Sequence, residues 1–191
     1  TSGESTVGGV TTTIRLARPS DLRHLAAVED AGGALFEEHL GKLPAALRAP
    51  APSGGERDLA GTLLVAPGPD GAEPVAGFAH LTEHDGHAHL EQVSVLPARG
   101  RRGLGTALVR AAMEEARWAG HDRISLCTFR DVPFNGPFYA GLGFGEIEQL
   151  EPFQARLRAV ERSLGLDDVG ARVVMVALLR RGPAASQVTD E

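Results

Sequence analysis

Glycine and arginine residues are concentrated in one short stretch of the chain, at positions 99–106. The arginines and the two relevant glycines are Arg99, Arg101, Arg102, Gly103 and Gly105. An alternating apolar run precedes this stretch, and apolar residues recur at helical spacing from Thr106, which predicts a loop between a strand and a helix. Unpaired N–H groups and the helix dipole at such a helix start favour an anion, and glycine lets that anion approach the main chain closely. The loop is therefore predicted to bind a phosphate or a diphosphate.

Histidines and a glutamate alternate along the strand that leads into this loop, and such residues can carry protons. Asp85-Gly86 is a strong signal for a two-residue hairpin turn. That turn would place three polar pairs opposite one another: His84 with His87, Thr82 with His89, and His80 with Glu91. Six polar side chains are thus predicted to share one sheet face. By strand alternation, His89, Glu91, Val93 and Val95 are predicted to share one face of their own strand.

His89 and Glu91 are the candidate general bases. A histidine needs little tuning to act near neutral pH, whereas a glutamate needs a raised pKa or a bridging water. Histidines on neighbouring strands can also bind a metal. No cysteine or dense set of carboxylates joins them, so no metal is predicted, and simple exposure near a hairpin tip remains an alternative for all of them.

The remaining patterns predict the elements that position these residues. Strands are predicted at residues 10–17, 62–66, 74–83, 90–95, 123–128 and 171–179. Helices are predicted to begin at Ser20 or Asp21, after Gly32-Gly33, and near residues 106 and 153, with a short one ending at Gly141 or Gly143. Residues 44–55, rich in proline, are predicted to form a loop or a broken helix. The result is one α/β domain over residues 10–181, with helices on both faces of a mixed sheet and flexible termini at 1–9 and 182–191.

Composition narrows the class of protein. The net charge is −6 and the basic residues crowd into one loop, which argues against nucleic-acid binding. No apolar run is long enough to span a membrane. Cys127 is the only cysteine, so an internal disulfide is excluded, and a cytoplasmic location is the default expectation.

Two motifs identify a family resemblance. The run V-S-V-L-P-x-x-x-R-R-G-L-G-T-A-L begins at Val93, and F-Y-A-G-L-G-F begins at Phe138. In this order and spacing they resemble the GCN5-related N-acetyltransferase (GNAT) superfamily. The resemblance implies a mixed, largely antiparallel sheet of about six to seven strands. It also implies acyl transfer from acetyl-coenzyme A (acetyl-CoA) to an amine.

The resemblance further implies roles for individual residues. The coenzyme diphosphate would be held by Arg101, Arg102, Gly103, Leu104, Gly105 and Thr106. The pantetheine arm would pair with Val93, Ser94 and Val95, where that strand parts from the next. Tyr139 would protonate the departing thiolate, and several branches of the family carry a carboxylate base on the strand that holds Glu91, which favours Glu91 over His89.

This chain departs from the family pattern in two places. Gly100 stands where Gln or Arg is usual, although Arg99 could supply the charge. The family's asparagine commonly lies seven residues before the tyrosine, at Val132 here, while Asn135 lies four before it and is a candidate coenzyme contact.

The acceptor is predicted only as a small or peptidic amine, and a lysine side chain is left open. Glu29, Asp30, Glu37 and Glu38 could attract a cationic amine, or form an ordinary solvated helix face. A homodimer is left open. A non-catalytic acyl-CoA-binding sensor or regulatory module is the alternative function.

Overall fold

The computed structural model describes residues 3–7, 10–41 and 43–179 of the chain. Eight strands are described: β1 (Gly3–Val7), β2 (Val10–Leu16), β3 (Gly61–Ala66), β4 (Gly77–His84), β5 (His87–Val95), β6 (Arg123–Phe129), β7 (Gly145–Ile147) and β8 (Arg172–Leu178). Seven α-helices are described: α1 (Leu22–Asp30), α2 (Gly33–Leu40), α3 (Ala45–Arg48), α4 (Gly54–Ala60), α5 (Leu104–Trp118), α6 (Gly136–Ala140) and α7 (Pro152–Ser163).

The strands form one sheet in the order β1-β2-β3-β4-β5-β6-β8-β7. Every neighbouring pair is antiparallel except β5 and β6, which are parallel. The predicted mixed, largely antiparallel sheet is confirmed by β2 to β8, and β1 adds one more strand at the edge.

Helices cover both faces of the sheet, as predicted. The long helix α5 buries a stripe that includes Leu104, Leu108 and Ala112 against one face, which we call the α5 face. On the opposite face, Leu25 and Val28 of α1 pack against Phe78 of β4. Helices α5 and α1 are both amphipathic, because their apolar residues recur at helical spacing. Burial of the apolar stripe holds each of these two helices on the sheet.

Strands β5 and β6 part soon after they meet. Their ladder contains only two residue pairs, Ala88 with Ile124 and His89 with Ser125. Beyond that point β5 continues along β4 as far as Val95, while β6 continues along β8 as far as Phe129. A V-shaped opening therefore lies between the C-terminal halves of β5 and β6, as the resemblance implied.

A β-bulge in β5 changes the predicted register. His84 lies opposite His87 and Thr82 opposite His89, as predicted, but His80 lies opposite Gln92 rather than Glu91. Glu91 is the extra residue of the bulge, because Leu81 pairs with Leu90 and His80 with Gln92. The predicted pairing of His80 with Glu91 is therefore wrong.

The bulge also reverses which residues face each way. Leu90 belongs to the α5-side core, and Val93 and Val95 pack against that same core. Because an extra residue shifts the alternation by one, His89 and Glu91 lie on the opposite face from the two valines. We call this opposite face the polar face. The prediction that these four residues share one face is wrong.

Two further segments can be compared with the sequence expectation. Residues 3–7, within the segment predicted to be flexible, form β1 and pair with β2, because a strand satisfies its main chain by pairing whatever its side chains. Residues 1–2, 8–9, 42 and 180–191 lie outside the described residues, and the flexibility predicted for the two termini stays a prediction. The proline-rich loop is interrupted by α3 and followed by α4, whose start is a capping box between Ser53 and Glu56.

Gly136, the first residue of α6, tests the local packing of this fold. A Cβ atom at this position would lie 2.1 Å from the carbonyl oxygen of Arg130. We expect Gly136→Ala to destabilise the protein by about 1–3 kcal/mol, because overpacking forces the backbone to move. Thermal unfolding measures this. Gly141→Ala is the matched control, since a Cβ there makes only ordinary contacts, and an equal loss in both variants would contradict the prediction.

Candidate active site

The loop before α5 presents free backbone donors at one end of the V-shaped opening. Gly103 caps the helix in the left-handed conformation, with φ 78°, and no side chain caps the first turn. Leu104, Gly105 and Thr106 begin the helix, so their N–H groups have no carbonyl partner within it. Arg101 also has a positive φ, of 58°. This backbone arrangement suits an anion, as the sequence predicted.

Only two of the three predicted arginines are available at this loop. Arg101 and Arg102 are exposed and make no ion pair among the described residues. The guanidinium of Arg99 instead forms hydrogen bonds of 2.8 to 3.2 Å with the carboxylate of Glu73. The prediction that Arg99 supplies the charge missing at Gly100 is therefore not supported, because that charge is already paired.

The loop, the end of β5 and helix α6 meet beside Gly105. A Cβ atom at Gly105 would lie 3.5 Å from the ring of Phe138 and 3.9 Å from the side chain of Val95. Val93 and Val95 turn their side chains into the α5-side core. Ser94 faces the other way and accepts a hydrogen bond from the Gln92 amide at 2.9 Å. The backbone edge of residues 93–95 that faces away from β4 has no partner on β6.

Tyr139 lies on the α5 side of the opening, within α6. Its ring packs against Phe138 and Phe144, with centroids 5.1 and 5.8 Å away. Burial raises the pKa of Tyr139 to about 12, and the cation of Arg172 opposes this only in part. No hydrogen bond of its hydroxyl is found within the described part of the chain. The phenol is therefore protonated at neutral pH and able to donate.

Asn135 occupies the residue before α6. Its carbonyl accepts the hydrogen bond of the Tyr139 N–H, and its side-chain amide donates to the carbonyl of Phe134 at 3.0 Å. Asn135 thus helps to place Tyr139. Its predicted contact with the coenzyme stays a prediction.

The two candidate bases lie together on the polar face, at the vertex of the opening. His89 is 3% exposed, and its Nδ1 lies 2.9 Å from the hydroxyl of Ser125 on β6. Its Nε2 lies 3.8 Å from a carboxylate oxygen of Glu91, whose side chain is 43% exposed. Both residues therefore lie where β5 and β6 part, and Glu91 is the more exposed of the two.

Burial acts on these two groups in opposite directions. It lowers the pKa of His89 to about 3, with a smaller contribution from His84, so His89 is neutral. It raises the pKa of Glu91 above the ordinary value, although His84 and Arg57 oppose the rise. Both shifts have one cause, since a poorly solvated site disfavours the charged form of any group.

The other predicted polar residues are used in packing around this pair. Thr82 lies 3.1 Å from the Nε2 of His84, and the rings of His84 and His87 stack on Phe153 of α7. No group of three or more residues able to hold a metal is found among the described residues. Because they stack on Phe153, His84 and His87 form one side of the site, next to α7.

Arg57 is a site residue that the sequence did not reveal. It extends from α4, is 6% exposed, and bonds to Glu29 at 2.5 Å and to the Nδ1 of His80 at 3.3 Å. The predicted acidic wall is thus partly neutralised, and Asp30 accepts a hydrogen bond from the Ala51 N–H. Glu37 and Glu38 are exposed. The capping box at Ser53 was the sequence signal that could have located α4 and hence Arg57.

Comparison with known families places this site in context. The family model described as "Acetyltransferase (GNAT) family" matches residues 27–144, which is more than half of the chain. The chain belongs to the GNAT acetyltransferase family. The matched residues of this GNAT chain include β5, the loop before α5, and Tyr139.

Several solved structures share the GNAT fold of this chain. The N-acetylglutamate synthase of Neisseria gonorrhoeae, complexed with coenzyme A and N-acetyl-glutamate, is 20% identical with a TM-score of 0.62, and the match covers 90% of this chain and 36% of that one. The PaiA N-acetyltransferase of Thermoplasma acidophilum, in complex with coenzyme A, is 15% identical with a TM-score of 0.63, covering 88% and 99%.

The ribosomal-protein-S18-alanine N-acetyltransferase of Escherichia coli is 17% identical, with a TM-score of 0.61 and coverage of 91% and 97%. At these identities the likeness shows the fold. The GNAT chain spans about a third of the synthase. In the described part of the chain, every helix is too short or too polar to cross a membrane.

The raised pKa of Glu91 in this GNAT chain can be measured directly. Carboxyl ¹³C NMR is expected to show Glu91 titrating above the ordinary glutamate value of 4.5. Arg57→Gln should raise that pKa further, because the Arg57 cation stabilises the carboxylate. Glu56 is the internal control, since its bonds to Ser53 lower its pKa. A Glu91 midpoint at or below that of Glu56 would refute the environment described above.

Proposed function

We propose that this protein transfers an acetyl group from acetyl-CoA to a primary amine by direct attack of the amine on the thioester. The observation that carries the proposal is the opening between β5 and β6. It has the uncapped N-terminus of α5 at one end, Tyr139 on the α5 side and Glu91 on the polar face. A donor and an acceptor could thereby approach one carbonyl from opposite sides of the sheet.

The loop supports binding of the donor. The N–H groups of residues 103–106 and the side chains of Arg101 and Arg102 would hold the diphosphate of the coenzyme. The unpaired edge of Val93, Ser94 and Val95 would accept the amide-containing pantetheine arm as an added strand. The complexes of the similar Neisseria and Thermoplasma proteins with coenzyme A support this assignment.

Glu91 is the better candidate for the general base. The attacking ammonium must lose a proton, and Glu91 is the exposed member of the pair, with a raised pKa that makes it a stronger base than an ordinary glutamate. His89 is buried, has a pKa of about 3 and contacts Ser125. We assign His89 to holding the strand vertex beside Glu91, either directly or through the Ser125 contact.

Tyr139 would complete the reaction on the other side of the opening. The amine nitrogen bonds to the carbonyl carbon, and a backbone N–H at the end of β5 would stabilise the oxyanion of the tetrahedral intermediate. When the carbon–sulfur bond breaks, the thiolate takes the phenolic proton, and the phenolate is reprotonated from solvent. Since Tyr139 is protonated at neutral pH, it is in the form that this step requires.

The arginines of the loop provide a test of donor binding. We expect Arg102→Ala to weaken acetyl-CoA binding by about tenfold, because a charge-assisted contact with a phosphate is lost. Isothermal titration calorimetry measures the dissociation constant. Arg117→Ala, at the other end of α5 and paired with Glu114, should leave it unchanged. Equal affinity of the wild type and Arg102→Ala would count against the diphosphate site.

The proposed base and acid provide a test of the chemistry. Glu91→Gln and Tyr139→Phe should each lower kcat/KM by about 10²-fold or more, while acetyl-CoA binding is retained. Activity of the wild type should fall as the pH drops through the raised pKa of Glu91, because the base must be deprotonated, and Glu91→Gln should lack this limb. Thiol release with a panel of primary amines measures the rates. Acetyl-CoA binding without turnover of any amine would instead establish the sensor alternative.

A further inference from the structure

A cavity of about 720 Å³ lies on the polar face, at the other end of the β5–β6 ladder from the opening. Its floor is formed by the first residues of β5 and β6 together with β8. Its sides are formed by the segment between β7 and α7 and by the first turn of α7. Cavities of this size bind small organic ligands in proteins. We call it the α7 cavity.

The α7 cavity is distinct from the opening where Glu91 lies. Strand β5 contributes His87 and Ala88, which precede the point where β5 and β6 part. His89 separates the cavity from the opening, because its Nδ1 faces the Ser125 hydroxyl beside the cavity while its Nε2 faces Glu91. A ligand in the cavity would therefore touch the junction of β5 and β6 and leave the proposed reacting groups free.

The first turn of α7 offers hydrogen-bond donors to the cavity. Gln154 is 3% exposed, and its Oε1 accepts the N–H of Glu151 at 2.9 Å, so its NH2 group is turned away from that bond. This NH2 group makes no hydrogen bond within the described residues and is not fully enclosed. The N–H of Phe153 also lacks a partner there, as is usual in a first helical turn. Because buried donors are costly when unpaired, both favour a ligand that carries an acceptor oxygen.

Charged side chains of both signs line the same cavity. Arg123 and Glu148 are exposed, and neither forms an ion pair or a hydrogen bond in the described part of the chain. The carboxylate of Glu151 is already used, since it accepts the N–H of Gln154 at the start of α7. Arg123 and Glu148 thus leave one positive and one negative charge at separate places on the cavity wall.

Apolar side chains complete the lining. Ile147 of β7 and Val176 of β8 are half-buried, and Leu150 is 38% exposed. We call these three residues the apolar wall. A ligand side chain that covers the apolar wall removes apolar surface from water, which favours binding.

We propose that the α7 cavity binds a short apolar peptide with both termini free. Its terminal carboxylate pairs with Arg123 and its terminal ammonium with Glu148, a peptide carbonyl accepts from the donors of α7, and its side chains cover the apolar wall. A peptide fits better than one amino acid, because Arg123 and Glu148 are too far apart to pair with each other. The bound peptide touches β5 on one side and β6 and β8 on the other, so it strengthens their junction. Peptide binding here does not depend on acetyl transfer.

Methyl NMR locates the peptide directly. Titration of the full chain with leucyl-leucine, after coenzyme A has been added, should shift the methyl signals of the apolar wall. The methyl signals of Val93 and Val95, which lie beside the opening, should stay unchanged. An absence of shifts at millimolar peptide, or shifts confined to Val93 and Val95, would overturn the proposal.

Matched variants and peptides test the two charges separately. Arg123→Gln should weaken binding of leucyl-leucine by about tenfold, because a charge-assisted contact is lost, and should not change binding of leucyl-leucine amide, which lacks the carboxylate. Glu148→Gln should weaken leucyl-leucine similarly and leave N-acetyl-leucyl-leucine, which lacks the ammonium, unchanged. Isothermal titration calorimetry measures the dissociation constants.

Arg110→Gln is the control for these variants, because it removes an exposed arginine on α5, far along the chain from the cavity lining. It should leave the affinity for leucyl-leucine unchanged. All three substituted side chains are exposed, so the variants should unfold at the temperature of the wild type. Wild-type affinity for leucyl-leucine in both Arg123→Gln and Glu148→Gln, or equal losses for the free and blocked peptides, would contradict the proposed pairing.

Backbone hydrogen exchange tests the effect on the junction. The amides of residues 88–89 and 124–125 should exchange severalfold more slowly with leucyl-leucine bound, because the ligand opposes local separation of the two strands. The N–H of Arg130, which bonds to the carbonyl of Ala171 beyond the other end of β6, is the control and should not change. Unchanged exchange in the ladder at saturating peptide would overturn the proposed strengthening of the junction.

Discussion

The parting of β5 from β6 after two residue pairs is the constraint on which the rest of the site depends. A buried strand edge without hydrogen-bond partners is unfavourable, so this opening persists only because each strand is held elsewhere. Strand β5 stays paired to β4 and packs on α5, while β6 stays paired to β8 along its whole length. The sheet thus consists of two halves joined by two residue pairs, Ala88 with Ile124 and His89 with Ser125.

This division explains the placement of the chemical groups. The bulge at Glu91 lies two residues beyond the last pair, so the extra residue turns a carboxylate to the polar face near the vertex. The valines after it turn the other way and anchor the open edge to the α5 core. Tyr139 is brought to that second side by α6, whose start is packed against Arg130. One irregular strand thus separates a candidate base from a candidate acid.

The low polarity around the opening sets the protonation states of His89, Glu91 and Tyr139. It keeps His89 neutral and Tyr139 protonated, and it makes the carboxylate of Glu91 more basic. Desolvation penalises charge of either sign. A single environment therefore lowers the pKa of a histidine and raises the pKa of a glutamate or a tyrosine.

The sequence by itself determined the features that depend on neighbouring residues. The loop of residues 99–106, the Asp85-Gly86 turn, most strands and the two motifs were readable because glycine, proline and hydrophobic periodicity act over a few positions. Only the tertiary structure decided the bulge at Glu91, the pairing of Arg99 with Glu73 and of Arg57 with Glu29, and the close packing of Gly170 against Leu40 and Phe129. Each of these joins segments far apart in the chain, and a bulge alters register without any local signal in composition. Which face a residue occupies, and which charge is already neutralised, are properties of packing that no local pattern contains.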